Sequence, residues 1–206
     1  GSGKTVAFGL LIGRALLGEG KRVAPSTPRA ICIAPTRELA QQVQRELSWL
    51  MAGTGARVAA FTGGTDIRRD VRTLQIGVEI VVGTPGRLVD LGKRKCLDLT
   101  KIEIVVLDEA DEMLDMGFRD ELEAVLADIP SAHRTLMFSA TLPPGIRLLA
   151  KRFQQNPLEL DPRTGAPKAP HADIRHVAHL FGGGERTSAL INVLLFADDP
   201  RAVVFC

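Results

Sequence analysis

Short apolar runs alternate with amphipathic stretches along most of the chain. Five of these runs predict the strands of a sheet: residues 29–34, 58–61, 79–82, 104–107 and 134–138. Between the runs, apolar residues recur every three or four positions, which is the spacing of one helix face. Strands that alternate with helices in this way predict an α/β fold, with a mainly parallel sheet and helices on both of its faces.

The pattern changes near residue 161. Residues 161–171 (DPRTGAPKAPH) combine proline, glycine and charge with few side chains to bury, which is typical of a linker. Beyond it a strand, a helix and a second strand are predicted at residues 174–181, 186–196 and 202–205. This single βαβ unit has no core of its own. The predicted domains are therefore residues 1–160, a linker at 161–173, and the start of a second domain at 174–206.

Composition narrows the class of protein. The 206 residues carry a net charge of only +2, so any binding of nucleic acid must come from a local basic patch. The three cysteines, Cys32, Cys96 and Cys206, are far apart, which argues against a disulfide framework and against a zinc site. We therefore expect a reducing, cytoplasmic location. No apolar stretch approaches the length of a membrane span.

The chain opens with Gly1, Ser2, Gly3, Lys4 and Thr5, directly before a predicted helix at residues 6–17. Glycines let backbone N–H groups close on phosphates, and the start of a helix adds partial positive charge. In such a loop the lysine reaches the terminal phosphates and the threonine hydroxyl ligates Mg²⁺. A glycine-rich linker is the alternative interpretation, and the helix that follows makes it less attractive.

Acidic residues follow the apolar run at 104–107. Asp108 and Glu109 come directly after it, and Asp111 stands two positions further on. Unpaired buried carboxylates are costly, whereas the carboxyl ends of parallel strands are where open α/β sheets bind ligands. We expect Asp108 to meet the glycine loop at this edge and to share Mg²⁺ with Thr5. Glu109 can then orient or deprotonate the water that attacks a nucleoside triphosphate.

Two further strands run into predicted helix starts. Thr36 can cap one helix, and Thr84 with Pro85 can open another. Arg37 follows Thr36, and on local evidence both are better explained by a cap and a solvated charge than by a phosphate backbone. Arg87 lies in a first helical turn, where its charge opposes the helix dipole. That misfit hints at a phosphate partner.

Small residues follow the remaining two strands. Gly63 and Gly64 come after the run at 58–61, where a glycine pair makes either a simple turn or a place for another backbone to approach. Ser139 and Thr141 follow the run at 134–138. Their hydroxyls can bond the acids of the neighbouring strand, and a capping turn before Leu142 is an equal alternative.

The motifs GSGKT, PTRELA, GG, TPGR, DEAD and SAT occur in this order, each at a predicted loop or strand end. Together they are highly specific, and the sequence closely resembles the bacterial-type DEAD-box ATP-dependent RNA helicases. The resemblance implies most of a first RecA-like P-loop domain and the start of a second. It further implies ATP and Mg²⁺ as ligands and RNA as the partner, bound with little sequence specificity.

The resemblance also assigns roles to residues. The phosphates and the metal would be held by Gly1, Ser2, Gly3, Lys4 and Thr5, with Asp108 binding the metal through water and Glu109 positioning the attacking water. Asp111 would bond to Ser139 and Thr141 and so couple the nucleotide state to RNA. The sugar-phosphate backbone of single-stranded RNA would lie along Thr36, Arg37, Gly63, Gly64, Thr84, Gly86 and Arg87.

Two family features are expected but lie outside this sequence: the adenine-reading segment upstream of GSGKT and the arginine motifs of the second domain. We therefore expect the chain to be a fragment with little ATPase or unwinding activity of its own, because an arginine finger contributes roughly 10³–10⁵ in rate. A DNA-directed two-domain helicase or translocase and a non-enzymatic, ATP-dependent RNA clamp are the alternative functions. Ribosome assembly, RNA decay and other ribonucleoprotein partners are all compatible with the motifs, and no membrane is implied.

Overall fold

The computed structural model describes residues 3–18, 27–154, 156–160 and 184–196, together with residues 177, 180 and 182. Gly1, Ser2, Cys206, the predicted linker and the strand predicted at 202–205 lie outside the described residues, as does most of the strand predicted at 174–181. The chain divides into two compact units, Gly1–Leu158 and Glu159–Cys206. Helix α8 (Arg186–Leu195) is the element described in the second unit.

The first unit is built on one sheet of five strands. These are β1 (Ala30–Ile33), β2 (Val58–Phe61), β3 (Ile80–Gly83), β4 (Ile104–Leu107) and β5 (Arg134–Met137). They lie in the order β2-β3-β1-β4-β5, and every pair is parallel, which confirms the predicted sheet. Ile33 is in register with both Gly83 and Leu107. The residues that follow the strands therefore emerge along one common edge.

Helices connect the strands and cover the sheet. They are α1 (Lys4–Leu17), α2 (Arg37–Leu50), α3 (Ile67–Ile76), α4 (Pro85–Lys93), α5 (Ala110–Asp115), α6 (Arg119–Ala127) and α7 (Pro144–Phe153). Helices α5 and α6 are separated at Gly117, whose φ of +85° is a left-handed conformation that glycine adopts readily. In the described part of the chain, no helix is both long enough and apolar enough to cross a membrane.

Two apolar clusters form the core, one on each face of the sheet. Neighbouring residues of β4 point in opposite directions, so Val106 packs with α1 and α2 whereas Val105 packs with α4 and α6. Fully buried aromatic rings contribute to both clusters, Phe8 to the first and Phe61 to the second. Helices therefore cover both faces, as the continuous apolar strands predict.

Arg29 fixes the position of α1 from the amino edge of the sheet. Its guanidinium donates two hydrogen bonds to Glu103, from Nε at 2.7 Å and from Nη2 at 3.0 Å. It also donates to the backbone carbonyls of Ala15 and Leu16 in the last turn of α1, where cations interact favourably with the helix dipole. These hydrogen bonds fix the end of α1 relative to the starts of β1 and β4. They thereby also fix how far the first residue of the helix, Lys4, reaches at the carboxyl edge of the sheet.

Candidate active site

The glycine loop and the acidic strand end meet at the carboxyl edge of the sheet. Gly3 precedes α1 in a left-handed conformation (φ +71°), and Lys4 is the first residue of the helix. Asp108 directly follows β4. The Lys4 Nζ atom lies 3.4 Å from Asp108 Oδ1, although about a hundred residues separate the two in sequence. The structure therefore brings these two predicted site residues together.

Asp108 is chemically poised to bind a cation. Its side chain is only 4% exposed, and among the described residues Oδ1 has no hydrogen-bond partner. A buried carboxylate oxygen without a hydrogen bond is costly, even with the partly exposed Lys4 at 3.4 Å, and Mg²⁺ prefers oxygen ligands of this kind. The negative charge acts on its neighbourhood as well: burial raises the pKa of the Cys32 thiol, and Asp108 raises it further. The residues present therefore fit a Mg²⁺ ion beside Asp108.

Thr5, the second predicted metal ligand, faces helix α2. The pKa of Glu46 in α2 is lowered, chiefly by a hydrogen bond from Gln42 and to a smaller extent by the nearby Thr5 hydroxyl. A hydroxyl that donates its proton keeps two oxygen lone pairs. A Thr5 hydroxyl directed at Glu46 therefore leaves its oxygen available to a metal, and sequence reasoning gave Glu46 no role.

Glu109 has an unusual backbone conformation. Its φ of 52° and ψ of 53° lie in the left-handed region, which is uncommon for residues other than glycine. Such a conformation costs roughly 1–3 kcal/mol and tends to occur at functional sites. It produces a sharp turn between β4 and α5, and it leaves Glu109 partly exposed next to the buried Asp108.

Asp111 in the first turn of α5 contacts the segment after β5. Its Oδ2 accepts hydrogen bonds from the Thr141 backbone N–H at 2.9 Å and from the Thr141 hydroxyl at 2.8 Å. The Ser139 hydroxyl donates instead to the Thr141 carbonyl. Burial raises the pKa of Asp111, but the two hydrogen bonds from Thr141, helped by the nearby Ser139 hydroxyl, outweigh it and leave the pKa below its ordinary value. Asp111 is thus an ionised acceptor at neutral pH.

The contact with Asp111 decides between the two interpretations of the SAT segment. The capping turn before Leu142 is wrong, because α7 begins only at Pro144, after Pro143. The segment after β5 is instead hydrogen-bonded, through Thr141, to Asp111 in the first turn of α5. A second bond in the same place runs from the Ala110 backbone N–H to the Phe138 carbonyl at 3.0 Å.

The start of α2 lies against the glycine pair. Thr36 caps the helix as predicted, since its side chain accepts a hydrogen bond from the Leu39 backbone N–H at 3.2 Å. Arg37 is exposed, and its guanidinium packs on Gly64: a Cβ atom added to that glycine would lie 2.2 Å from Arg37 Nη1. Gly63 is the next contact of the same guanidinium. Gly63 and Gly64 therefore allow another group to approach the backbone closely, and the group that does so is the Arg37 side chain of this chain.

The start of α4 is also placed at this edge. Thr84 is the residue before the helix and Pro85 takes its first position, as predicted, although the Thr84 side chain makes no capping hydrogen bond. Gly86 has open space around it: among the described residues, no atom outside its own turn of helix lies within 4 Å of where a Cβ would be. Thr84 and Gly86 thus lie beside the glycine pair along the same edge, next to the strands β3 and β2.

Arg87 has its balancing charge within the chain. Its misfit with the helix dipole therefore needs no phosphate partner, and the RNA contact that the resemblance implies for Arg87 stays a prediction. The guanidinium is 9% exposed and donates from Nε to Asp70 Oδ2 at 2.8 Å. Asp70 was missed by sequence reasoning, although one signal was available. It falls between Ile67 and Leu74 on the apolar face of α3, where an unpaired acid would be costly.

Comparison with known proteins agrees with these motifs. Residues 1–149 match the family model described as DEAD/DEAH box helicase. The chain is 44% identical over 162 residues to DEAD-box ATP-dependent RNA helicase 9 of Oryza sativa subsp. japonica, covering 78% of this chain and 25% of that protein. It is 49% identical over 157 residues to the DEAD-box ATP-dependent RNA helicase CshA of Bacillus cereus, covering 76% and 29%. The chain thus spans about a quarter to a third of the length of these relatives.

Solved structures with the same fold are similarly related. A DEAD box protein from the hyperthermophile Methanococcus jannaschii matches with a TM-score of 0.67 and 40% identity, over 74% of this chain and 40% of that one. The yeast DEAD-box splicing factor Prp28 matches with a TM-score of 0.70 and 35% identity, over 75% and 38%.

Proposed function

The chain belongs to the DEAD/DEAH box helicase family, and from this membership we propose that the protein that contains it is an ATP-dependent RNA helicase. It would couple the binding and hydrolysis of ATP to local unwinding of RNA duplexes or remodelling of ribonucleoproteins. The observation that carries the proposal is the buried Asp108 carboxylate, whose Oδ1 makes no hydrogen bond to the described residues and lies 3.4 Å from the Lys4 ammonium group. A charged pair of this kind, at a helix start and a parallel strand end, is suited to a Mg²⁺–nucleotide complex.

The nucleotide would be held by the start of α1. Backbone N–H groups of a helix start and the Lys4 ammonium group attract the triphosphate. Asp108 and the Thr5 hydroxyl oxygen would hold Mg²⁺, and the ion would supply charge neutralisation for the phosphates. On the way to that state Lys4 would exchange the Asp108 carboxylate for a phosphate, so the ion pair would keep the lysine in place until nucleotide binds.

Glu109 would act on the attacking water. Its carboxylate is partly exposed and adjacent to Asp108, so it can accept a hydrogen bond or a proton from a water at the terminal phosphate. The left-handed backbone supports this role, because strain of that kind persists where the surrounding structure holds a side chain in one direction.

Coupling between nucleotide and RNA would run through Asp111. This residue lies two positions after Glu109 and is bonded to Thr141, so a shift of the acidic turn during hydrolysis would be transmitted to the segment after β5. The two hydrogen bonds to one carboxylate oxygen support a stiff connection.

The RNA surface would lie on the same edge, on the side of β3 and β2. Thr36, Arg37, Gly63, Gly64, Thr84 and Gly86 would contact the sugar-phosphate backbone. Arg37 supplies positive charge, the glycines allow close approach, and the starts of α2 and α4 offer backbone N–H groups. Contacts of this type carry no base information, so binding would be largely independent of sequence. Specific ribonucleoprotein partners would be selected elsewhere in the protein.

The proposal is tested by ATP turnover in the full-length natural protein. Mg²⁺-dependent hydrolysis is expected to rise when single-stranded RNA is added and to change little with DNA of the same sequence. A fluorescence-labelled RNA duplex should open only when ATP is hydrolysed. Stimulation by DNA instead would favour the DNA-directed translocase, and tight ATP-dependent RNA binding without turnover would favour the clamp.

Replacing Gly64 with alanine is expected to separate RNA binding from stability. Gly64 and Gly53 have nearly the same left-handed φ, +80° and +83°, so alanine should lower the free energy of unfolding by about 1 kcal/mol at either position. Only at Gly64 would the new Cβ displace Arg37, since Gly53 has open space around it. RNA affinity should then fall about 10-fold in Gly64→Ala, the equivalent of one charge-assisted contact.

The matched control is Gly53→Ala. Urea unfolding should give the same loss of stability for both variants, while fluorescence anisotropy with labelled RNA should detect the loss of affinity in Gly64→Ala alone. Equal RNA affinities would remove Arg37 and Gly64 from the proposed surface.

A further inference from the structure

Asp70 and Arg87 form a buried ion pair between two helices. Asp70 lies in α3 and Arg87 in the first turn of α4, and the side chain of each is 9% exposed. The Arg87 Nε–H donates to Asp70 Oδ2 at 2.8 Å. Asp70 is among the few charged residues that are buried in the described part of the chain. Burying two charges is costly, so a pair in this position calls for an explanation beyond stability.

The same guanidinium holds the glycine loop. Its Nη2 donates to the Thr65 carbonyl at 2.6 Å and to the Thr65 hydroxyl at 3.1 Å. Thr65 directly follows Gly64, and its hydroxyl donates in turn to the Thr62 carbonyl at 3.0 Å. Arg87 therefore ties α4 to the loop of residues 62–65, while Asp70 fixes the direction in which the guanidinium points.

This network joins the segments of the proposed RNA surface. The loop carries Gly63 and Gly64, which pack against Arg37 at the start of α2. Helix α4 carries Thr84 and Gly86 at its start. The planar guanidinium of Arg87 is hydrogen-bonded to Asp70 by one nitrogen and to Thr65 by another. It therefore sets the distance between the glycine loop and the start of α4. A single-stranded backbone that spans both would need that distance to be held.

We propose that Asp70 is a positioning residue for RNA binding. It acts through Arg87, which it orients so that the glycine loop and the start of α4 keep the spacing that a phosphate backbone requires. This inference rests on the proposed RNA-binding function and deepens it. Charge alone leads to the opposite expectation, because an acid beside an anion-binding surface repels the anion and its removal should tighten binding.

The test is the affinity of the full-length natural protein for a short, fluorescein-labelled oligouridine, measured by anisotropy with Mg²⁺ and a non-hydrolysable ATP analogue. Asp70→Asn keeps the shape of the side chain and removes its charge. We expect it to weaken RNA binding about 10-fold, the equivalent of roughly 1.4 kcal/mol, and to leave the affinity for the ATP analogue unchanged. Arg87→Lys keeps the positive charge but loses the fork, and it should weaken RNA binding to a similar extent.

Salt dependence separates positioning from direct contact. A lost phosphate contact lowers the slope of log affinity against log salt by about 0.7 for a single strand. We expect that drop in Arg37→Ala and an unchanged slope in Asp70→Asn and in Arg87→Gln, which removes the charge of Arg87. The double variant Asp70→Asn/Arg87→Lys should bind no more weakly than either single variant, because both break one network.

Asp90→Asn is the matched control. It breaks the exposed pair with Arg94 on the same helix, at 2.9 Å, and should leave RNA binding unchanged. Should Asp70→Asn fail to fold, Arg87→Gln decides the question by its salt slope. RNA binding that is unchanged or tighter in Asp70→Asn, or a lowered slope in Arg87→Gln, overturns this inference while the proposed function stands. A wild-type protein that does not bind the oligouridine overturns the proposed function and this inference with it.

Discussion

Glu109→Gln is expected to lower the rate of ATP hydrolysis by about 10²–10⁴-fold, the usual contribution of a general base, while ATP binding is retained. Glutamine has the same shape but cannot accept the proton of the attacking water. The phosphates would still be held by Lys4 and the metal by Asp108, neither of which is altered. Single-turnover hydrolysis and the binding of a fluorescent ATP analogue, both in the full-length natural protein, measure the two effects separately.

Glu112→Gln is the control for this variant. Glu112 is an exposed acid on α5, close to Glu109 in sequence, and its replacement removes the same charge without removing the proposed base. Its hydrolysis rate should stay near that of the wild type. If Glu109→Gln turned over ATP at the wild-type rate, Glu109 would have no part in activating water.

Asp108→Asn is expected to change stability and activity in opposite directions. Without metal, the buried Asp108 Oδ1 makes no hydrogen bond to the described residues, and its ion pair with Lys4 contributes little because that lysine side chain is 37% exposed. Removing the charge should therefore raise the free energy of unfolding by about 1 kcal/mol. The same change removes the proposed metal ligand. Because a bound metal supplies several kcal/mol of charge stabilisation, hydrolysis should fall by about 10²-fold or more.

Two measurements check this pair of effects. Urea unfolding without Mg²⁺ gives the stability, and ATP hydrolysis over a range of Mg²⁺ concentrations gives the activity. Asp115→Asn, an exposed acid on α5, should change neither. A destabilised Asp108→Asn protein would mean that the carboxylate is satisfied in the metal-free state and is not poised for a cation.

The sheet and much of its functional edge could be predicted because local patterns determine them. Continuous apolar strands such as β3 and β4 have few alternatives to a parallel sheet with helices on both faces. The cap at Thr36 follows from a side chain and a helix start only three residues apart. The position of Asp108 after a buried strand was informative for the same reason, since few structural explanations suit an acid there.

Other features could not be predicted because they depend on contacts between distant segments. The pairing of Asp70 with Arg87 needs the relative placement of α3 and α4, which spacing along the chain does not provide. The contact of Thr5 with Glu46 likewise depends on how α1 packs against α2. The left-handed turn at Glu109 runs against the ordinary preference of that residue, as local rules commonly fail at functional sites.

The central position of β1 in the sheet has a consequence for synthesis on the ribosome. Strand β1 pairs with β3 on one side and β4 on the other, so both of its neighbours are made after it. The first of them begins about 50 residues later, which at roughly 5–20 residues per second leaves this apolar strand without a partner for several seconds. During that interval the unpaired β1 segment of the nascent chain can associate with strands of other chains. A chaperone that binds short apolar segments would find its binding site at β1.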